Sequence, residues 1–247
     1  MLTNILGTRN VANACRTHGV EAMVMVSTDK ATHPVSVMGA SKRIAESYCQ
    51  SLDMETRRNS GTRFVTVRFG NVLGSAGSVV PLFQKQLEKG GPITVTHPDM
   101  TRYFMTIREA VELVLQAASL QDAELDRGGA IVVLNMGEPV SIVKMATQMI
   151  KLAGLTPGKD IDIVYTGLRP GERMTENLFD TSETLVQTSH RDLMAAHPQV
   201  ADHVFVSKAI DQLIDAAHAQ NDAKILQNIG LIVPDFAERE KAAEGEG

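Results

Sequence analysis

Ala22-Met23-Val24-Met25-Val26-Ser27-Thr28-Asp29-Lys30 is the stretch on which the fold of this chain turns. Its first five residues are apolar with no polar alternation, which suits a parallel strand covered on both faces. The run then breaks abruptly into polar and charged residues. Ahead of it, Thr3 to about His18 reads as a helix with Ile5, Leu6, Val11, Ala12 and Cys15 as its apolar positions and Gly19 as its stop. Behind it, a long helix from about Gly39 to Arg57 leads to a second strand, Phe64-Val65-Thr66-Val67-Arg68-Phe69. Helix, buried strand, helix, buried strand is the pattern of an α/β sheet.

The pattern continues downstream. Thr106 followed by Glu109 forms a capping box for a helix whose Ala110, Leu113, Val114, Ala117 and Ala118 fall at helical spacing. Ile131-Val132-Val133-Leu134 reads as a short buried strand. Ser141 caps a helix with Ile142, Met145, Ala146, Met149 and Ile150 on one face, closed by Gly154. Ile161, Ile163 and Tyr165 alternate with polar residues, as in a half-exposed strand. A helical stretch from Ser207 to about Ile229 is the last expected element, and residues 238–247 read as a frayed, disordered tail.

Composition narrows the function. The 247 residues are 43% hydrophobic and 21% charged, with a net charge of -5, so binding nucleic acid through bulk positive charge is disfavoured. Any phosphate must be held locally. No apolar run approaches the roughly 18 residues that span a bilayer. Cys15 and Cys49, without a preceding secretory signal, read as reduced residues of a cytoplasmic protein. The seven histidines show no metal-ligand spacing, His190, His197 and His203 reading as surface or loop residues, so no metal is expected.

Ligands of open α/β sheets collect at the carboxyl ends of the strands, where Ser27, Thr28, Asp29 and Lys30 stand. A carboxyl group beside an amine could supply the acid and the base of an elimination. A solvated charge pair on a surface loop is the competing reading of these residues alone. Met38-Gly39-Ala40-Ser41-Lys42 has the form of the short-chain dehydrogenase Tyr-x-x-x-Lys signature, with methionine in the tyrosine's place. Residues four apart share a helix face, so Met38 and Lys42 can address one site. Methionine has no proton to give, which excludes the usual tyrosine base.

Five blocks together resemble the membrane-anchored UDP-N-acetylglucosamine 4,6-dehydratases of bacterial polysaccharide and glycan biosynthesis. They are residues 27–43, Val67 to Ser75, Gly77 to Phe83, Thr94 to Met105 and Gly167-Leu168-Arg169-Pro170-Gly171-Glu172. The resemblance implies a reaction in which hydride leaves sugar C4 for NAD or NADP, the C5 proton is removed, the C6 hydroxyl is expelled, and hydride returns to C6. It implies Asp29 as the acid at the C6 hydroxyl, Lys30 as the base at C5, and Thr28, with water, at the C4 hydroxyl. Lys42 would grip the cofactor ribose, with Ser27 and Phe69 also on the cofactor side. Asn71 would contact the nucleotide sugar, Arg102 and Arg169 would clamp the pyrophosphate, and Glu172 would accept from the ribose hydroxyls. An epimerase of the same fold and a non-catalytic nucleotide-sugar-binding remnant are the alternatives.

The expected architecture is a partial Rossmann-like parallel sheet with a smaller mixed α/β substrate-binding region. Residues 1–78 form the second half of the Rossmann-like domain, and 79–247 form the substrate-binding region, with 104–137 returning to the sheet. No glycine-rich dinucleotide turn follows a strand, since Gly70, Gly74 and Gly77 have a different spacing. The resemblance places four further strands ahead of this region. The strand Ala22 to Val26 should therefore have an unpaired edge, and the chain is expected to be a fragment or to associate through that edge, as a homo-oligomer or with another partner.

Overall fold

The computed structural model describes residues 1–57, 61–75, 77–121, 123–180 and 183–236. The expected tail, 238–247, lies outside them. The chain forms two compact units: 1–69, 113–135 and 177–247 in the first, and 70–112 and 136–176 in the second.

The first unit opens with helix α1 (Leu2–Thr17), strand β1 (Ala22–Val26), a 3-10 turn (Asp29–Ala31), helix α2 (Val37–Thr56) and strand β2 (Arg63–Arg68). In the second unit follow β3 (Asn71–Val72), α3 (Val79–Glu88), β4 (Ile93–Val95), β5 (Thr101–Arg102) and β6 (Phe104–Met105). Helix α4 (Ile107–Ser119) carries the chain back, and α5 (Ala123–Asp126) and β7 (Ile131–Leu134) belong to the first unit. The second unit resumes with β8 (Val140–Ser141), α6 (Ile142–Leu152) and β9 (Ile163–Tyr165). Strands β10 (Thr184–Gln187) and β11 (Leu193–His197) and helices α7 (His203–His218) and α8 (Asp222–Ile232) complete the first unit.

Its sheet has the order β1-β2-β7-β11-β10. β1, β2 and β7 run parallel, and β11 and β10 add an antiparallel hairpin. β7 is buried throughout and β2 from Phe64 onward, as their continuous apolar character requires. β1 has the same composition but stands at the sheet's edge, so only Met25 is fully buried and Val26 is exposed. Against one face pack Ile5, Ile44, Tyr48, Leu52 and Phe64 with Val206, Ile210 and Leu213 of α7. Each such side chain contributes about 1.5–3 kcal/mol on burial. The second unit has its own core, in which Phe83, Ile93, Val95 and Met100 meet Ile142, Ala146, Ile150 and Ile161.

Several local expectations correspond to the structure. Thr106 and Glu109 form the reciprocal capping box, with both backbone amides bonded to the opposite side chain. Ser141 caps α6 by accepting from the Lys144 amide, and Gly154 takes φ 76° after it. Three expectations need correction. The helix expected over Ser207–Ile229 is two helices, separated where Gln220 takes φ 51° and Asn221 caps α8 by accepting from the Lys224 amide. The domain boundary falls after Phe69 and not after residue 78, and residues 177–236 belong with the sheet, because β11 pairs with β7. His203 starts α7 and lies 5.4 Å from the Tyr48 ring, where burial holds its pKa below the usual value.

Beneath the carboxyl ends of β1 and β2 lies a charged network that sequence reading missed. Arg68 is fully buried, with Nε and Nη2 donating to Glu46 at 2.8 and 2.7 Å and Nη1 donating to both oxygens of Glu183 at 3.0 and 2.9 Å. Arg43 Nη1 lies 3.1 Å from Glu46. Burial alone would raise the Glu46 carboxyl, but the Arg68 guanidinium, joined by Arg43, outweighs it and holds the group below its ordinary value of 4.5. The stability that Glu46 contributes is therefore complete above pH 4.5 and is lost as pH falls through its lower folded value. Thermal unfolding followed between about pH 7 and pH 3 should show a midpoint that declines in the acid range. Glu46→Gln should flatten that decline, and parallel declines in both proteins would contradict the assignment.

Candidate functional site

In the first unit, β1 ends at Val26 and its pairing with β2 continues one step farther on each side of Thr28. The Ser27 amide donates to the Val67 carbonyl at 2.7 Å and the Asp29 amide to the Phe69 carbonyl at 3.1 Å. Asp29, Lys30 and Ala31 then form the 3-10 turn, capped by Thr28, whose hydroxyl accepts from the Lys30 amide. A turn held at both ends fixes where its side chains go.

Asp29 is fully buried. Its Oδ1 accepts from the Thr28 hydroxyl and from Lys30 Nζ, each at 2.9 Å. Its Oδ2 is buried with no partner among the described residues. Buried polar atoms are nearly always satisfied, so an orphaned carboxylate oxygen at a strand's carboxyl end marks a place for a proton, a water or a ligand hydroxyl. Lys30 is partly exposed, its side chain keeping 30% of its free surface, and reaches the same place from the solvent side. The charge pair is thus no solvated loop pair, since one member has no access to water.

Helix α2 brings the signature residues to this turn. Ser36 caps it by accepting from the Gly39 amide at 3.2 Å. A Cβ on Gly39 would stand 2.2 Å from the Lys30 carbonyl oxygen, so only glycine lets the helix approach the turn this closely. Met38 is exposed, and Lys42 Nζ donates to the Val26 carbonyl at 3.1 Å, at the end of β1. The structure therefore gathers Ser27, Thr28, Asp29, Lys30, Lys42 and Phe69 around the ends of β1 and β2, and it sets Met38 on the first turn of α2. Ser27 is buried, and its hydroxyl faces the Glu46 carboxylate.

The second unit holds the remaining candidates. Asn71 begins β3 and donates through Nδ2 to the Tyr103 carbonyl at 3.2 Å. Arg169 is exposed, on the loop after β9. Its amide donates to Glu172 Oε2 at 3.1 Å, and the Glu172 amide returns a bond to the Arg169 carbonyl at 3.0 Å, closing a tight turn. Glu172 Oε1 also accepts from the Thr96 hydroxyl at 3.4 Å. Arg102 differs from Arg169. Its guanidinium is nearly buried and donates to the carbonyls of Thr101, Met174 and Arg173, with Glu172 at 3.7 Å. It holds the 172–174 turn in place, whereas Arg169 has its guanidinium at the surface.

Among the described residues, His33, Asp180 and Asp235 form one group with metal-ligand chemistry. The two carboxylates address opposite edges of the ring, Asp180 at Nε2 and Asp235 at Nδ1, which is a hydrogen-bonded clasp. Among the same residues, no helix is long and apolar enough to cross a membrane.

Known proteins resemble this chain in sequence and fold. A family model described as "Polysaccharide biosynthesis protein" matches residues 1–198. The capsular polysaccharide biosynthesis protein CapD of Staphylococcus aureus is 49% identical over 212 residues, which are 86% of this chain and 33% of CapD. The UDP-glucose 4-epimerase of Rickettsia rickettsii is 34% identical over 191 residues, 77% of this chain and 52% of the epimerase. Among solved structures, Pen from Bacillus thuringiensis superposes with a TM-score of 0.69 at 34% identity, over 82% of this chain and 60% of Pen. The chain thus spans 33% of CapD and 52% of the epimerase. With the family model matching residues 1–198, through both units and the Rossmann-like sheet, the chain belongs to the polysaccharide biosynthesis protein family.

Proposed function

We propose that this chain is the catalytic and substrate-binding part of a 4,6-dehydratase acting on UDP-N-acetylglucosamine or a similar UDP-N-acetylhexosamine. The observation that carries the reading is the Asp29–Lys30 pair, with a buried, unpartnered carboxylate oxygen, on a turn packed against a helix that has methionine in the tyrosine's place.

The pair can serve an elimination because one proton can pass across its 2.9 Å contact. That transfer turns ammonium and carboxylate into amine and carboxylic acid with no change of net charge. In this form Lys30 takes the C5 proton while Asp29 protonates the departing C6 hydroxyl, which leaves as water. Lys30 then returns its proton to C5, and the proton released from the C4 hydroxyl, through Thr28 and water, restores Asp29. The chemistry that a bound NAD or NADP would supply is the acceptance of hydride at C4 and its return at C6. Lys42, at the end of β1, suits the cofactor's ribose, with Ser27 and Phe69 beside it. The sequence contains no glycine-rich cradle for the cofactor's pyrophosphate, so this chain accounts for the nicotinamide end alone.

From the second unit we assign Arg169 to the sugar nucleotide's pyrophosphate, since an exposed guanidinium can bond two oxygens at once. Arg102 supports it by fixing the 172–174 turn, Glu172 faces the ribose hydroxyls and Asn71 the nucleotide sugar. The free edge of β1 is the surface we assign to association, with a further copy or a partner strand. Two free cysteines accord with a reducing, cytoplasmic setting.

The relation to a UDP-glucose 4-epimerase favours a second reading, oxidation and re-reduction at C4 without loss of water. Incubating the protein with UDP-N-acetylglucosamine, with and without NAD+, separates the readings by mass and NMR. A 4-keto-6-deoxy product, lighter by one water, is the expected result. A C4 epimer of unchanged mass would establish the epimerase, and an unaltered sugar would overturn both, leaving a nucleotide-sugar-binding module.

A further inference from the structure

Resting on the dehydratase reading, we propose that Arg68, Glu46 and Glu183 are positioning residues that set the catalytic turn Thr28–Lys30 against helix α2. Arg68 lies in the chain between the two carbonyls, Val67 and Phe69, that hold the amides of Ser27 and Asp29. Any shift of Arg68 along or across the sheet moves both anchors of the turn. Its guanidinium is gripped on one side by Glu46, one helical turn beyond Lys42 on α2, and on the other by Glu183. One fully buried side chain thereby joins the strand that anchors Asp29 to the helix that carries Met38 and Lys42.

Glu183 extends the device. Leu178 and Asp180, ahead of it in the chain, meet the loop after the turn at two further points. The Thr32 hydroxyl donates to the Leu178 carbonyl at 3.4 Å, and the His33 ring meets Asp180 at Nε2 and Asp235 at Nδ1. Thr32 and His33, which leave the catalytic turn, are thus held by Leu178 and Asp180, ahead of Glu183 in the chain, and by Asp235.

Stability is a poor account of this network. Removing three charged groups from water carries a large penalty, and apolar replacements of buried ion pairs are often neutral or stabilising. What apolar groups lack is direction. The guanidinium fork bonds each carboxylate at two points, which defines distance and orientation together. Two carboxylates and two guanidinium groups, Arg68 and Arg43, also leave the cluster with no net charge beside the Asp29–Lys30 pair.

Amide hydrogen exchange by NMR on the whole chain tests the proposal without requiring turnover. In Glu183→Gln the amides of Ser27 and Asp29 should exchange about ten-fold faster while those within β1 and β2 keep their rates. A triple variant, Arg68→Met with Glu46→Leu and Glu183→Leu, should unfold at a midpoint close to that of the parent yet show the same selective loss. It also carries the comparison if Glu183→Gln does not fold. Unchanged exchange at Ser27 and Asp29, or equal acceleration across the sheet, would overturn the positioning role. Where the protein turns over nucleotide sugar, kcat should fall in Glu183→Gln with KM retained. Inactive parent protein would count against the dehydratase reading alone, because the exchange comparison stands apart from it.

Discussion

Asp29→Asn should sharply slow formation of the 4-keto-6-deoxy product while the protein stays folded. Asparagine has the shape of aspartate, and the backbone bonds of residue 29, to the Phe69 carbonyl and from the Thr32 amide, do not involve the side chain. Its carbonyl oxygen can still accept from Thr28 and Lys30 in the place of Oδ1. What the amide lacks is a proton that it can surrender to the C6 hydroxyl. Loss of a general acid costs about 10²–10⁴ in rate, so kcat should fall into that range below the parent value. KM should hold, since the groups assigned to the nucleotide lie in the other unit. Lys30→Ala should cause a comparable loss by removing the base, and turnover at the parental rate in either variant would remove Asp29 and Lys30 from the mechanism. Oxidation at C4 that persists in Asp29→Asn, seen as reduced cofactor without loss of water, would place the acid at the C6 step in particular.

The second large effect concerns a residue with no side chain. Gly39→Ala would place a methyl group 2.2 Å from the Lys30 carbonyl oxygen and 3.1 Å from Pro34 Cβ. The first obstacle is backbone of the catalytic turn, which cannot rotate away as a side chain would. Overpacking of this kind costs about 1–3 kcal/mol, and a rigid obstacle puts the cost at the upper end. For a chain of this size each kcal/mol lowers the unfolding midpoint by roughly 2–4 °C, so a fall of about 5–10 °C is expected. Turnover should fall as well, because the collision pushes the turn that carries Asp29 and Lys30. Gly7→Ala is the control. That glycine lies inside α1 with open space around its Cβ position, and the same substitution there should stabilise by about 0.5–1 kcal/mol. A Gly39→Ala protein as stable and active as its parent would show that the helix and the turn can separate freely.

Much of this was legible in the sequence, and what was not follows a physical rule. β1 and β7 have the bounds that their apolar runs indicate, and the caps at Thr106 and Ser141 work as their chemistry requires, because each depends on neighbours in the chain. Strand β11, Leu-Met-Ala-Ala-His, contains no β-branched residue and offered no such signal. It is a strand because β7 presents an edge for it to pair with. The break between α7 and α8 had a local mark, Asn221 followed by Asp222, that the run of helical spacing concealed.

The candidate site divides in the same way. Asp29, Lys30, Met38 and Lys42 could be named from their types and spacing, whereas Gly39 fills an unspecified place of the signature and its need shows only in the packing against Lys30. That Asp29 is sealed from water with one oxygen unpartnered could not, because burial is a property of everything packed around a residue. Arg68 left a trace as a charge within an apolar strand, yet its partners stand 22 and 115 residues away in the chain. Arg102 and Arg169 read alike in the sequence and differ in the structure, one spent on backbone carbonyls and the other at the surface. The sequence by itself therefore determined the order of elements, their caps and the chemical types at the strand ends, all of which depend on short-range periodicity and side-chain chemistry. Tertiary structure alone decided which charges are buried, what each one bonds and which strands become neighbours, since those outcomes depend on distances between segments that the linear chain does not encode locally.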